Sequence, residues 1–299
     1  MNNKIIIILG PTASGKTGWG IEIAKKLNGE VVCADSRTVY KYFDIATAKP
    51  EKKEMQGVKH HLLNFVNPKT KVYTVADFQC DAIKNIKDIL KRKKVPIIVG
   101  GSALYIYSLI RGYKFKGKGN NRVRREFEGK SLDELQAMVK KIKNISLNSS
   151  DFKNKRRLIR AIEVDKNCKL NNKKIFFSPL PYPFLKIGID KPREEIYRRI
   201  DKRTEVWMKN NKLIKEVKKL LNKKIPKQRI IEFGLGYREV IKYFDGEIKT
   251  SKELAERINF CQHAYVRRQM TWFRHDKEIV WCKNIKKAKS EINKFLSTI

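Results

Sequence analysis

The chain has 299 residues, 41% of them apolar, with 68 Lys and Arg against 31 Asp and Glu, a formal charge of +37. That apolar share fills a sizeable core, yet no run approaches the ~20 apolar residues of a membrane-spanning helix, and the short N-terminal apolar run is no leader. The charge suits a nucleic-acid partner, although the abundance of Lys, Asn and Ile is also what an AT-rich genome produces, so the placement of arginines carries more weight than the total.

Lys4–Leu9 is a short, β-branched apolar run and reads as a strand. Gly10-Pro11-Thr12-Ala13-Ser14-Gly15-Lys16-Thr17 follows it, and helical apolar spacing begins at Gly18. Strand, glycine loop and helix form the setting in which G-x-x-x-x-G-K-[ST] binds phosphate. Consecutive backbone N–H groups and a helix N-terminus make an anion nest, Lys16 adds charge, and the Thr17 hydroxyl suits a magnesium ion.

Glu30–Asp35 reads as a second strand ending in a carboxylate, and His61–Val66 as another. Apolar residues from Thr74 to Lys94 fall on one helical stripe. Val95–Val99 is a strand that runs into Gly100-Gly101-Ser102, with a helix from Ala103. Strands alternating with helices predict an α/β, three-layer core around a mainly parallel sheet.

Beyond Arg111 the character changes. A polar, glycine-rich stretch at 116–121 and a proline-containing stretch from Leu170 to Pro183 bracket helical segments. Phe184–Asp190 reads as a strand returning to the sheet. The expectation is a core of residues 1–115 and 184–299 with a helical insertion at 116–183. A helix is expected from Pro192, and a long one from the capping-box spacing Thr250-Ser251-Lys252-Glu253.

Five scattered cysteines without C-x-x-C pairs point to a reducing, cytoplasmic setting and to neither a disulfide framework nor a zinc site. No histidine has helical metal-pair spacing. An ordinary P-loop ATPase holds its metal with an Asp at the end of a further core strand. Here the corresponding strand ends in Gly-Gly-Ser, which leaves Asp35 as the carboxylate nearest the phosphate loop. Asp35 either serves chemistry there, or caps the next helix or orients Thr17. Arg199 and Arg203, four apart on one helix, either grip an anion or pair with Glu195 and Asp201. Arg156, Arg157 and Arg160 form a basic face that, on charge alone, reads as solvated surface.

Several motifs taken in order resemble the tRNA dimethylallyltransferases over nearly the whole chain. They are Gly10–Thr17, Asp35-Ser36-Arg37 with Tyr40, Asp44–Pro50, Val99–Tyr105, Arg156–Val164, Gly236-Tyr237-Arg238 and Arg267–Arg274. The resemblance implies a P-loop NTPase-like fold and transfer of a dimethylallyl group from its diphosphate to N6 of the adenine immediately 3′ of the anticodon. It implies that Gly10–Thr17 holds the donor's diphosphate rather than ATP. It further implies Asp35 as general base, Thr17 as contact to Mg²⁺ and phosphate, and Arg203 as a diphosphate contact; Arg199 joins Arg203 as a candidate diphosphate contact by its helical spacing. RNA contacts are implied at Asp35, Ser36, Arg37, Thr38, Ser102, Arg124, Arg156, Arg157, Leu158, Ile159, Arg160, Phe233, Gly236, Tyr237 and Arg238. The chain departs from the family at Ala46, Ser102, Asn211 and His263, and carries no Cys/His pairs for the zinc finger of eukaryotic relatives. The expected form is the compact bacterial enzyme, a monomer whose partners are tRNA and dimethylallyl diphosphate, with Mg²⁺ as cofactor. A P-loop small-molecule kinase and a non-catalytic RNA-binding protein are the alternatives, and a nucleoside digest after incubation with donor and tRNA separates all three.

Overall fold

A computed structural model describes residues 3–113, 115–116, 121–142, 147–170, 174–175 and 179–298. It divides into two compact units, residues 1–111 with 180–299, and residues 112–179.

In the larger unit, β1 (Ile5–Leu9) leads into α1 (Lys16–Lys26), β2 (Gly29–Cys33), a single helical turn α2 (Lys52–Met55) and β3 (His60–His61). α3 (Val75–Lys91), β4 (Val95–Gly100) and α4 (Ala103–Arg111) follow. The strand expected at 61–66 is reduced to two residues, because Leu62 and Asn64 take positive φ and break the extended run; Val66 forms only an isolated bridge to Tyr40. The expected start of α3 is held by a reciprocal cap in which Thr74 accepts from the Asp77 N–H and Asp77 from that of Thr74.

The smaller unit holds a two-residue strand β5 (Phe115–Lys116), then α5 (Asn121–Glu128), α6 (Leu132–Lys140), α7 (Ser149–Phe152), α8 (Lys155–Leu170) and β6 (Lys174–Ile175), which pairs antiparallel with β5. Its helices close over a small core of Phe127, Leu135, Val139, Leu158, Ile159, Ala161 and Ile162.

The chain then re-enters the larger sheet as β7 (Phe184–Ile189) and continues through α9 (Arg193–Met208), α10 (Lys212–Asn222), α11 (Lys227–Phe233), α12 (Tyr237–Phe244), α13 (Ser251–Arg274), β8 (Val280–Cys282) and α14 (Ile285–Ser297). The edge strand β8 is too short to stand out from the surrounding helical pattern. Thr250 caps α13 by accepting from Glu253 N–H, but the Glu253 carboxylate accepts from Lys249 N–H, so the expected reciprocal box is only half formed. Between α9 and α10, Asn210 and Asn211 both stand at φ 56°, a left-handed turn that asparagine tolerates better than most residues. That accounts for an asparagine where the family usually has glycine.

The sheet order is β3-β2-β4-β1-β7-β8, parallel throughout. β1 is wholly buried, as a central strand covered on both faces must be. Register aligns Leu9 with both Gly100 and Gly188, and Cys33 with Val99, so the carboxyl ends of β1, β2, β4 and β7 open at one edge. Two buried charge clusters brace the sheet. Glu30, 2% exposed, is bonded by His61 (2.7 Å), Lys94 (3.0 Å) and Arg92 (2.7 Å). Lys186 on β7 meets Asp276 at 2.7 Å and Glu278 at 2.6 Å, and Tyr107 donates to the same Asp276 at 2.8 Å. At the start of β1 the buried Lys4 ammonium donates to the carbonyls of Phe295 (2.7 Å), Leu296 (3.3 Å) and Thr298 on the last helix.

Candidate active site

The loop between β1 and α1 folds as the motif requires. Gly15 stands at φ +96°, a conformation side chains resist, and turns the chain into α1. Lys16 donates to Pro11 O at 3.0 Å. Burial draws the Lys16 ammonium down to about 8 against the partial support of Asp35, with nearby Arg203 lowering it further. An anion placed here would restore the charge that burial disfavours.

α13 fastens this loop. Its buried stripe is Leu254, Ile258, Gln262, Val266, Gln269 and Phe273, in which two glutamines interrupt an otherwise apolar face. Gln269 Oε1 accepts from Thr12 N–H at 2.9 Å while its Nε2 donates to Gly101 O at 2.9 Å, joining the loop to the end of β4. A Cβ on Gly101 would lie 2.4 Å from that Nε2, so only glycine admits the contact. Gln262 accepts from Arg203 at 3.1 Å and donates to Leu235 O at 3.3 Å.

Arg203 also donates to the Thr12 hydroxyl at 3.2 Å and lies 4.8 Å over the Trp207 ring. It has no carboxylate partner among the described residues, and burial draws it down to about 10. Arg199, one turn earlier, pairs with Glu195 at 2.7 Å, so the pairing reading holds for Arg199 and fails for Arg203. The Arg199 guanidinium still reaches the loop, 3.7 Å from where a Cβ on Gly15 would stand.

At the end of β2, Asp35 Oδ1 accepts from Arg37 N–H (2.8 Å) and Thr38 N–H (3.3 Å). One oxygen of Asp35 thus holds the turn after β2, not the start of a helix. Oδ2 has no hydrogen-bond partner among the described residues. Ser102 Oγ accepts from Ser36 N–H at 3.0 Å, which ties the end of β4 to the Asp35 turn. Tyr265 of α13 is pushed up to about 12 by burial and by the negative charge of Asp35.

These groups line one cavity of about 260 Å³. Thr12, Lys16, Thr17 and Arg203 give it a cationic, donor-rich wall, Val31, Cys33, Leu63 and Val99 an apolar one, and Asp35 stands among them with Thr47, Ala48 and Tyr265. The loop carrying Thr47 and Ala48 is pinned by Glu216 of α10, which accepts from Ile45 N–H (2.9 Å), Asp44 N–H (3.3 Å) and the Tyr237 hydroxyl (2.5 Å). Burial raises the Glu216 carboxyl above its ordinary value.

Several of the expected RNA-contact residues also have partners in the interior. Thr38, Phe233 and Tyr237 are buried: Phe233 stacks on Phe43, Tyr237 donates to the Glu216 that pins the 44–50 loop, and Thr38 lines the cavity. Gly236, at φ +106°, turns the chain into α12. Leu158 and Ile159 lie in the core of the smaller unit. Arg238 is exposed and Arg37 half-exposed. In the smaller unit Arg124 and Arg160 flank buried Glu163 at 3.2 and 2.7 Å, Arg157 pairs with Asp151, and Arg156 is exposed. Tyr265, Gln262, Gln269 and Glu216 were absent from the sequence expectation; the two glutamines were detectable as polar residues at i and i+7 of an apolar helical stripe.

Comparison with known proteins places this arrangement. The family model described as IPP transferase matches residues 38–276. The tRNA dimethylallyltransferase of Acetivibrio thermocellus is 38% identical over 93% of this chain and 91% of its own, and that of Clostridioides difficile is 39% identical over 96% of each. The crystal structure of the tRNA isopentenylpyrophosphate transferase of Bacillus halodurans superimposes with a TM-score of 0.72 at 32% identity, covering 99% of this chain and 96% of that one.

Proposed function

Because the chain belongs to the IPP transferase family, that of the tRNA dimethylallyltransferases, we propose that it transfers a dimethylallyl group from dimethylallyl diphosphate to N6 of the adenine 3′ of the anticodon. The observation that carries the assignment to residues is the shared cavity: a carboxylate with one uncommitted oxygen faces a cradle of backbone donors and cations. The donor's diphosphate lies on the 10–17 loop with Lys16, Thr17, Arg203 and Arg199 around it, and its tail has the apolar wall.

The exocyclic amine of adenine is a weak nucleophile because its lone pair is delocalised into the ring. As the N6–C bond forms and the donor's C–O bond breaks, Asp35 Oδ2 takes the amine proton. The charge of the departing pyrophosphate is met by preorganised N–H groups, Lys16 and Arg203, which lowers the barrier where charge develops. No group of three His, Cys, Asp or Glu able to hold a metal occurs among the described residues. Mg²⁺ fits on different terms, since it is commonly held by one or two protein ligands plus phosphate oxygens and water. Thr17 would hold it, where it would neutralise diphosphate charge. Arg37 and Arg238 supply phosphate contacts to a tRNA anticodon stem-loop; in the smaller unit, taken by itself, Arg124, Arg156, Arg157 and Arg160 offer cationic groups to RNA, and the enzyme acts as a cytoplasmic monomer.

The kinase alternative finds no support among the relatives, and the end of β4 offers no carboxylate for a nucleotide-bound metal. Incubation with dimethylallyl diphosphate, Mg²⁺ and unmodified tRNA, followed by mass spectrometry of the nucleoside digest, tests the assignment. N6-dimethylallyladenosine is the expected product; unmodified adenosine throughout would refute it.

A further inference from the structure

Beside the catalytic cavity lies a second cleft of about 440 Å³, bordered by Ser36, Arg37, Phe233, Arg238, Phe260 and Arg268. The two spaces are continuous in their walls, because Arg37, Leu235 and Tyr265 line both. Phe260 of α13 is 67% exposed, an unusual position for a phenyl ring, whose burial is favourable. It heads the helical face that continues through Ala264 and Arg268, and the small Ala264 leaves open space one turn beyond the ring.

We propose that this cleft is a stacking site for an unpaired RNA base next to the target adenine, with Phe260 as its platform. The inference rests on the RNA-modifying reading above and adds a nucleotide subsite to it.

Charge and shape carry the choice of occupant. Arg37, Arg238 and Arg268 have no carboxylate partner among the described residues; Arg37 lies 5.3 Å over the Phe233 ring and Arg268 5.7 Å over that of Tyr265. The two carboxylates bordering the cleft are engaged elsewhere. Glu239 accepts from Gly236 N–H at 3.0 Å and from Cys261, and Glu232 pairs with Arg229 at 3.3 Å. An exposed aromatic ring among unneutralised guanidinium groups matches the chemistry of single-stranded RNA, whose bases stack on aromatic and guanidinium planes while its phosphates take charge. A phenyl ring offers no hydrogen bond, so the site contributes affinity for any base. It helps hold the loop open while the neighbouring adenine leaves its stack.

The test uses the full-length protein, dimethylallyl diphosphate and an anticodon stem-loop RNA. Phe260→Ala is expected to raise KM for the RNA about fivefold or more, with kcat and KM for the donor unchanged, and Phe260→Trp to restore it. An RNA with an abasic residue beside the target adenine should reproduce the defect in the wild type and add nothing to it in Phe260→Ala. Unchanged KM in Phe260→Ala, or penalties that simply add, would overturn the stacking site. If the wild type prenylates no RNA, the functional assignment fails instead. Quenching of 2-aminopurine at the neighbouring position on binding then still reports on the subsite: quenching lost in Phe260→Ala supports it, and equal quenching in both proteins overturns it.

Discussion

Asp35 divides its labour between its two oxygens, one holding the turn by two backbone N–H groups and the other without a hydrogen-bond partner among the described residues, in a carboxylate that lines the cavity. Asp35→Asn preserves the accepting oxygen and removes the base. Its kcat is expected to fall about 10²-fold or more, with tRNA and pyrophosphate affinities little changed. A matching loss of affinity would instead mark Asp35 as purely structural. Glu30 illustrates the opposite use of a carboxylate. Its hydrogen bond from Arg92, above all, holds its carboxyl well below the ordinary 4.5, with His61 and Lys94 adding to the effect and burial opposing it. Since the folded value is the lower one, the contribution to stability is complete above the ordinary value and fades as acid protonates the folded carboxylate. Glu30→Gln leaves Arg92 and Lys94 without their buried partner and should cost about 3 kcal/mol at pH 7. The gap between the urea midpoints of the two proteins should narrow at pH 3 without closing, because the folded carboxylate is still ionised there; a gap of the same size at both pH values would contradict the linkage.

At the scale of elements, α13 is the part to which the phosphate loop is fastened. Gln269→Ala removes the acceptor of Thr12 N–H and the donor to Gly101 O, and an unmatched buried polar group costs roughly 1–3 kcal/mol. Isothermal titration is expected to show pyrophosphate bound about tenfold more weakly, with melting temperature lowered modestly. Unchanged affinity would show that the loop holds its shape unaided. Glu216 does the same for the 44–50 loop, and Glu216→Ala is expected to lower kcat for prenyl transfer while pyrophosphate affinity is retained, because Glu216 bonds to that loop and not to the 10–17 loop.

These fastenings also mark where the sequence falls silent. The Gly10–Thr17 loop, β1, β4, β7 and the stripe of α3 were legible because each is local: a fixed spacing, a β-branched run, an apolar period. The roles of the cavity's glutamines were not, since Gln269 acts on residues 257 and 168 positions away in the chain and Gln262 on residues 59 and 27 away. Phe233 and Tyr237 resembled surface contacts by motif, and only the packed structure shows them inside. Arg203 and Arg199 looked equivalent by spacing; Glu195 one turn before Arg199 separated them.

For the whole molecule, the +37 charge predicts that tRNA affinity falls steeply with salt, log K declining linearly with log salt at a slope near 0.7–0.9 per phosphate contact. Filter-binding between 50 and 300 mM KCl measures it, and a slope near zero would assign the charge to composition alone. The contact of Lys4 with the carbonyls of Phe295, Leu296 and Thr298 has a consequence of a different kind. One side chain spans the start of β1 and the end of α14, so a short Gly/Ser bridge between those two elements closes residues 4–298 into a ring. Reopened in the exposed turn at Lys69-Thr70, that ring becomes a circular permutant in which β1 is internal rather than leading. It should bind pyrophosphate as the parent does, because the nest at the carboxyl end of β1 is set by its sheet neighbours and by α13, and not by the order in which the ribosome delivers them.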